Sequence, residues 1–152
     1  MVSPIPEGYH SVNPYLTVNN ATAAIDFYGR AFGARERMRM NGPDGRVGHA
    51  ELEVGDSVVM LSDEHPEMGI RGPEGDSTPV SIQLYVENVD QVVENAQAAG
   101  ATTERELRDE FYGDRTATLR DPFGHRWHVA THIRDVSEEE MQQAMAAMAG
   151  GE

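Results

Sequence analysis

The feature that most constrains this chain is an internal repeat. Residues 14–34, "PYLTVNNATAAIDFYGRAFGA", and residues 81–101, "SIQLYVENVDQVVENAQAAGA", follow one plan. Each begins with a short alternating strand that ends in valine, turns through asparagine, and continues into an amphipathic helix closed by Gly-Ala. Because one supersecondary unit is written twice, we expect two small modules that share a core.

The two helix predictions rest on the spacing of apolar residues. In both units such residues recur at i, i+3, i+4 and i+7, which is typical of one buried helix face. They are Ala24, Phe27, Tyr28 and Ala31 in the first unit and Val89, Val92, Val93 and Ala96 in the second. Asn20 and Asn88 stand where helix N-caps are expected, and a glycine follows each last turn.

Three strand-like segments follow each helix. They cover residues 34–40, 47–54 and 57–62 in the first half and 102–107, 115–120 and 125–133 in the second. Within 47–54, alternation puts Ala50 and Leu52 on one face and His49 and Glu51 on the other. The order predicts an α+β fold of two βαβββ modules forming a curved-sheet cleft, followed by a C-terminal helix.

We predict one structural domain with four segments. They are a first module over 1–64, a linker over 65–79, a second module over 80–135, and a C-terminal helix and tail over 136–152. The linker is rich in proline and glycine, and is either a solvated connection or a lid. The apolar stripe of the C-terminal helix packs either on its own domain or on a second subunit.

Charge and composition limit the partners. Asp and Glu number 26 against 12 Lys and Arg, all of them Arg, for a net charge of -14. Such a field repels phosphate backbones, so nucleic acid is not an expected partner. The lack of lysine reflects either codon usage or halophilic adaptation to high salt. With no cysteine, no signal segment and no apolar run of membrane-spanning length, we expect a soluble cytoplasmic protein without a membrane partner.

Three features carry a resemblance to a known group: the two βαβββ modules, "AAIDFYGRAFGA" on the first helix, and "DPFGHRW" before the last strand. They resemble the vicinal-oxygen-chelate superfamily, which includes glyoxalase I, bleomycin-resistance proteins and extradiol dioxygenases. The stretch "FYGDRTATLRDPFGHRWHVATH" is most similar to glyoxalase-like and PhnB-like members. The resemblance covers roughly residues 8–135 and implies an open cleft between curved sheets, helices on the outside, and often a homodimer.

The resemblance also implies a metal-binding square, that is, a set of four ligand positions. This sequence has few good metal ligands at these positions. The four positions correspond to Asn13, Met60, Ser81 and His128. Of these only His128 is a good ligand for Ni²⁺ or Zn²⁺, because an amide is a weak donor, a hydroxyl a poor one, and a thioether suits soft ions. We therefore expect no resident metal and no other cofactor.

The candidate site is the polar lining of the cleft. We predict that it consists of Asn13, Tyr15, His49, Glu51, Met60, Gln83, Tyr112, Arg115 and His128. His49 and Glu51 either form a polar wall, or join His128 as a shifted metal site or a general base with its orienting carboxylate. Arg115 either pairs with Asp114 or holds an anionic ligand group. The other histidines are interpreted as surface residues.

These features favour a small-molecule-binding protein of the glyoxalase/bleomycin-resistance type, which sequesters a drug or metabolite as a homodimer. The negative charge favours cationic or polar aromatic ligands. The alternative is a metal-dependent lyase, isomerase or dioxygenase of the same superfamily, so whether the protein is an enzyme stays open. A third possibility is a dimeric scaffold without a ligand.

Overall fold

The computed structural model of the protein describes residues 1–150. The first module contains β1 Tyr15–Val18, α1 Ala21–Phe32, β2 Arg35–Asn41, β3 Val47–Val54 and β4 Ser57–Asp63. The second contains β5 Ser81–Tyr85, α2 Val89–Ala99, β6 Thr102–Asp109, β7 Asp114–Arg120 and β8 Arg126–His132, and α3 Glu138–Gly150 follows. The last two residues of the predicted tail, 151–152, lie outside the described residues.

Each module forms one four-stranded sheet. The strand orders are β1-β4-β3-β2 and β5-β8-β7-β6. In both sheets the first strand pairs in parallel with the last strand of its module, and the other neighbours are antiparallel. The predicted fold class of two βαβββ modules with a C-terminal helix is confirmed.

The helix ends follow from local chemistry. The side chain of Asn20 accepts the backbone N–H of Ala23 at 3.1 Å, and Asn88 caps α2 in the same way. At the start of α1, the carboxylate of Asp63 accepts the N–H of Ala21 at 2.7 Å. The end of β4 therefore holds the first turn of α1 in place, which no local pattern predicted.

One hydrophobic core joins the two modules. Helices α1 and α2 contact each other, and their apolar faces share the core with the inner faces of both sheets. Trp127 of β8 is 1% exposed, and its ring centroid lies 4.6 Å from that of Phe32 and 5.3 Å from that of Tyr28. Because the two helices contact each other, each buries its apolar stripe against the other module as well as its own.

The linker and α3 differ in how firmly they pack. The linker is hydrogen bonded to both modules: Glu64 accepts the N–H of Gly72 at 2.8 Å, and Arg120 donates to the carbonyl of Asp76 at 2.6 Å. Helix α3 has no buried residue and lines a surface pocket together with Phe111 and Tyr112 of the second module. Within residues 1–150, no helix is long and apolar enough to cross a bilayer.

Candidate functional site

The polar faces of the two sheets carry equivalent rows of side chains. Strand register makes the members of each row direct neighbours across three strands. They are Tyr15, Met60 and Glu51 in the first sheet and Gln83, His128 and Thr118 in the second. Five of the predicted site residues thus lie in the two rows, at positions that the repeat makes equivalent.

A chain of hydrogen bonds runs across the first row. The hydroxyl of Tyr15 lies 2.8 Å from Nδ1 of His49, and Nε2 of His49 lies 2.8 Å from Oε2 of Glu51. The hydroxyl of Tyr9 donates to Oε1 of the same carboxylate. We call these four residues the tyrosine–histidine network. The sequence predicted three of its members, but not Tyr9, which reaches Glu51 from 42 positions earlier in the chain.

The charge of the Glu51 carboxylate determines where the protons of this network lie. Burial alone would raise the pKa of Glu51, but hydrogen bonds from His49 and Tyr9 outweigh it, so the pKa is lowered and the group is ionised. An ionised carboxylate only accepts hydrogen bonds, so Nε2 of His49 must carry a proton. In an uncharged imidazole Nδ1 then accepts from the hydroxyl of Tyr15. The Tyr15 side chain is half exposed, so its oxygen offers lone pairs to the solvent.

A pocket adjoins this network. It lies between β1, the start of β3, the end of β4 and the turn at residues 65–70, and we call it the β1–β4 pocket. Its volume is about 480 Å³. The polar side chains in its wall are those of Tyr15, Thr17, Ser62 and His65, and Met68 and Ile70 supply apolar surface.

The second sheet holds a network of its own. Asp114 is 3% exposed and accepts hydrogen bonds from Tyr85 at 2.7 Å and from Nδ1 of His132 at 2.7 Å. Nε2 of His132 lies 2.7 Å from Asp135. Hydrogen bonds to Asp114 and Asp135 raise the pKa of His132. Because both partners are carboxylates, both ring nitrogens must donate, and His132 is a cation here.

Arg115 faces neither Asp114 nor an open ligand site. Its guanidinium pairs with Asp90 at 2.8 Å and with Asp109 at 3.0 Å. Asp114 is taken up by Tyr85 and His132 instead. Of the two alternatives, pairing with Asp114 does not occur, and an anionic ligand group would have to compete with two carboxylates.

The remaining predicted residues lie apart from the first row. Asn13 and Gln83 both line a groove of about 380 Å³ between the modules. Both polar atoms of the Asn13 amide bond to the backbone of His10, at 2.7 Å and 3.2 Å. Nδ1 of His128 is 3.0 Å from the hydroxyl of Thr118, and Tyr112 lies beside α3.

Three histidines that the sequence suggested to be surface residues have specific partners. His65 lines the β1–β4 pocket, and His125 donates from Nε2 to the carbonyl of Thr17 at 2.9 Å. His132 forms the ion pairs described above. The only sequence signal was their position at strand ends, which does not identify partners that are distant along the chain.

The sequence profile of the Glyoxalase/Bleomycin resistance protein/Dioxygenase superfamily matches residues 9–129. The chain belongs to this superfamily. The match runs from Tyr9 of the network into β8, so it spans both modules. The family predicted from the two βαβββ modules, the motif on the first helix and "DPFGHRW" is confirmed.

Several relatives support the superfamily assignment. An uncharacterized protein of Mycobacterium bovis is 40% identical over 145 residues, which cover 93% of this chain and 95% of that protein. The crystal structure of TioX from Micromonospora sp. ML1 matches with a TM-score of 0.65 and 28% identity, over 82% of this chain and 99% of TioX. A Pseudomonas aeruginosa protein matches with a TM-score of 0.67 and 25% identity, over 82% and 99% of the two chains.

Superfamily membership raises the question of a metal ion, and the donor atoms do not fit one. Among residues 1–150, no group of three or more His, Asp or Glu side chains is placed to hold a metal together. Both ring nitrogens of His49 face hydrogen-bond partners, and the Asn13 amide is bonded to backbone. Within a single chain, neither the inherited square nor the shifted set with His49, Glu51 and His128 brings its donor atoms together among the described residues.

Proposed function

We propose that this superfamily member binds a small polar or aromatic molecule on the polar face of its first sheet. The observation that carries the proposal is the tyrosine–histidine network. The His49 ring and the Glu51 carboxylate each have a hydrogen-bond partner on both sides, and Tyr15, at the outer end of the network, is half exposed beside a pocket. Polar groups held in fixed directions next to apolar surface are typical of small-molecule sites.

The proposal keeps the full predicted lining, with the second-sheet members contributed across a homodimer. In a single chain, no hydrogen bond or ion pair among the described residues links the polar row of the first sheet with that of the second. Large apolar or aromatic side chains at the starts and ends of β1 and β5 are exposed, namely Val12, Tyr15, Val80 and Tyr85. A second copy of the chain covering these strands would bury them and supply Gln83 and His128 to the site.

The biological role in this proposal is sequestration of a drug or metabolite in the cytoplasm. The net charge of -14 favours a cationic ligand over an anionic one. In this proposal the hydrogen bonds of the tyrosine–histidine network serve to bind a ligand and not to catalyse a reaction.

Calorimetry with a panel of cationic glycopeptides and aromatic amines tests the binding function. Glu51→Gln removes the charge that orients His49 and is expected to weaken binding by about tenfold or more. Glu36→Gln is the matched control, since Glu36 is an exposed carboxylate on β2 that pairs with Arg39. Silence of the whole panel with the unmodified protein would contradict the proposal.

Two further measurements test the proposed homodimer and the expected metal content. Light scattering after gel filtration is expected to give the mass of a dimer, about twice 16.7 kDa. Elemental analysis of protein purified without chelators is expected to find no stoichiometric metal. Near-stoichiometric nickel, zinc, iron or manganese that is lost in His128→Ala would favour the metal-dependent enzyme instead.

A further inference from the structure

The β1–β4 pocket has an unusual balance of hydrogen-bonding groups, because three of the four polar side chains in its wall, all but Thr17, have their protons committed elsewhere. The hydroxyl of Tyr15 donates to His49 over 2.8 Å when the imidazole is uncharged. The hydroxyl of Ser62 donates to the carbonyl of Asp63 over 3.1 Å. Nδ1 of His65 lies 2.9 Å from that same carbonyl, which can only accept, so Nδ1 is the protonated nitrogen.

What remains on these side chains is a set of lone pairs. The oxygen of Tyr15, the oxygen of Ser62 and, in an uncharged imidazole, Nε2 of His65 can each accept a further hydrogen bond. None of the three has a free proton to donate. The Thr17 hydroxyl is the one side-chain donor left in the wall, so a carboxylate or phosphate in the pocket would lose its hydration and regain little hydrogen bonding, which is costly.

The charges around the pocket also favour a cationic ligand over an anionic one. Three carboxylates adjoin its lining residues: Asp63 and Glu64 lie between Ser62 and His65 in the chain, and Glu51 is linked to Tyr15 through His49. None of the three has an arginine within ion-pair distance among the described residues. Their oxygens accept hydrogen bonds from Tyr9, His49 and backbone N–H groups instead. No guanidinium forms an ion pair with them, although the charge of Arg37 also acts on Glu51, and their net negative charge favours a cation nearby.

We infer that the β1–β4 pocket accepts a cationic hydrogen-bond donor, a primary ammonium or guanidinium group, carried on an aromatic or alkyl body. The body packs on Met68 and Ile70, and the volume of about 480 Å³ is large enough for a ring. The inference rests on the proposed binding function and goes beyond it, since it names the ligand class and the atoms that select it.

Three probes with the same ring separate charge from hydrogen-bond donation: benzylammonium, benzyltrimethylammonium and benzoate. Binding is followed at about pH 8 through the amide resonances of ¹⁵N-labelled protein. We expect benzylammonium to shift resonances of the pocket residues. Benzyltrimethylammonium keeps the charge but has no N–H, so it should bind about tenfold more weakly, and benzoate should leave these resonances unchanged.

Two variants test the selecting atoms. Tyr15→Phe removes the accepting oxygen and should weaken benzylammonium binding about tenfold. The change should be much smaller for benzyltrimethylammonium, which makes no such bond. Thr102→Val is the control, because it deletes a hydroxyl from an exposed residue at the start of β6 in the other sheet, outside the proposed site and dimer contact, and should leave both affinities unchanged.

The outcomes of these experiments distinguish a failure of this inference from a failure of the proposed binding function. If benzoate shifts the pocket resonances and benzylammonium does not, or if Tyr15→Phe affects both cations equally, the donor inference is overturned while small-molecule binding stands. If none of the three probes shifts any pocket resonance, this face is not a small-molecule site, and the proposed function fails together with the inference.

Discussion

The hydroxyl of Tyr28 on α1 donates to the carboxylate of Asp121, in the turn before β8, over 2.5 Å. The same carboxylate is 4% exposed and accepts the indole N–H of Trp127 at 2.9 Å and the backbone N–H groups of Phe123 and His125. Burial and the charge of Asp121 raise the pKa of Tyr28, so its hydroxyl stays protonated as a donor. One buried carboxylate therefore ties the first module to the second.

Loss of this carboxylate is expected to be among the most destabilising single changes. Asp121→Ala leaves four donors without an acceptor in the core, which should lower the free energy of unfolding by about 3–5 kcal/mol. Tyr28→Phe removes one hydrogen bond and should cost about 1–2 kcal/mol. Urea denaturation followed by Trp127 fluorescence measures both.

The control for these variants is Asp26→Ala. Asp26 lies on the same helix and forms an exposed ion pair with Arg30 at 3.6 Å, so its loss should change stability by less than about 1 kcal/mol. If Asp121→Ala and Asp26→Ala proved equally mild, Asp121 would not be the link between the modules.

Gly113 is the glycine that the tertiary structure requires most strictly. Its φ is +98°, and a Cβ added there would lie 2.1 Å from the carbonyl oxygen of Arg134. Gly113→Ala should therefore cost more than about 3 kcal/mol, since backbone rather than a flexible side chain must move. Gly45→Ala is the matched control, because Gly45 has φ +85° but no atom within 4 Å of the added Cβ.

Gly45→Ala is expected to cost only about 1–2 kcal/mol, from the left-handed backbone alone. Chemical denaturation of the two variants side by side makes the comparison. Equal losses would show that the contact with Arg134 relaxes freely.

His132 is expected to make stability depend on pH. Its pKa in the folded protein is raised above the ordinary 6.5, chiefly by Asp114 and then by Asp135. The stabilisation is therefore fully present below the unfolded value of about 6.5 and is lost as the pH rises through the folded pKa. The difference in Tm between the unmodified protein and His132→Gln should be largest near pH 6 and shrink toward pH 9.

An exposed histidine outside these ion pairs provides the control variant. His10 lies in the exposed N-terminal segment, and His10→Gln should alter Tm little at any of these pH values. A difference for His132→Gln that stayed constant, or grew with pH, would mean that the ion pairs with Asp114 and Asp135 do not form in solution.

The excess of carboxylates is expected to make the protein more stable in salt. Among the described residues, every arginine except Arg134 lies within 4.0 Å of a carboxylate oxygen. The net charge of -14 is thus left on acidic groups without a basic partner. Because salt screens their repulsion, Tm should rise by several degrees from low salt to about 1 M KCl.

Sodium chloride at equal concentration is the control, since screening depends on ionic strength and not on which cation supplies it. A flat or falling Tm would indicate that the surface ion pairs lost to screening matter more than the repulsion. It would also remove the support for halophilic adaptation.

Local periodicity was sufficient to predict the repeat, both module helices and the facing of β3. The i, i+3, i+4 pattern and the strand alternation depend only on neighbouring residues, so the amino-acid sequence alone places Asn20 and Asn88 at the N-caps and Ala50 and Leu52 on the buried face. For the same reason His49 and Glu51 could be put on one face, two positions apart on a single strand.

Long-range packing decided what those side chains meet. Tyr9 bonds to Glu51, Asp63 holds the start of α1, Tyr28 reaches Asp121, and Arg115 pairs with Asp90 instead of its neighbour. Such contacts depend on how the modules and the linker pack against each other, and no short stretch of the sequence determines that packing. The sequence by itself determined the two βαβββ units and their buried faces; only the tertiary structure decided where the protons of the candidate site lie, because a hydrogen bond's direction depends on the partner that packing supplies.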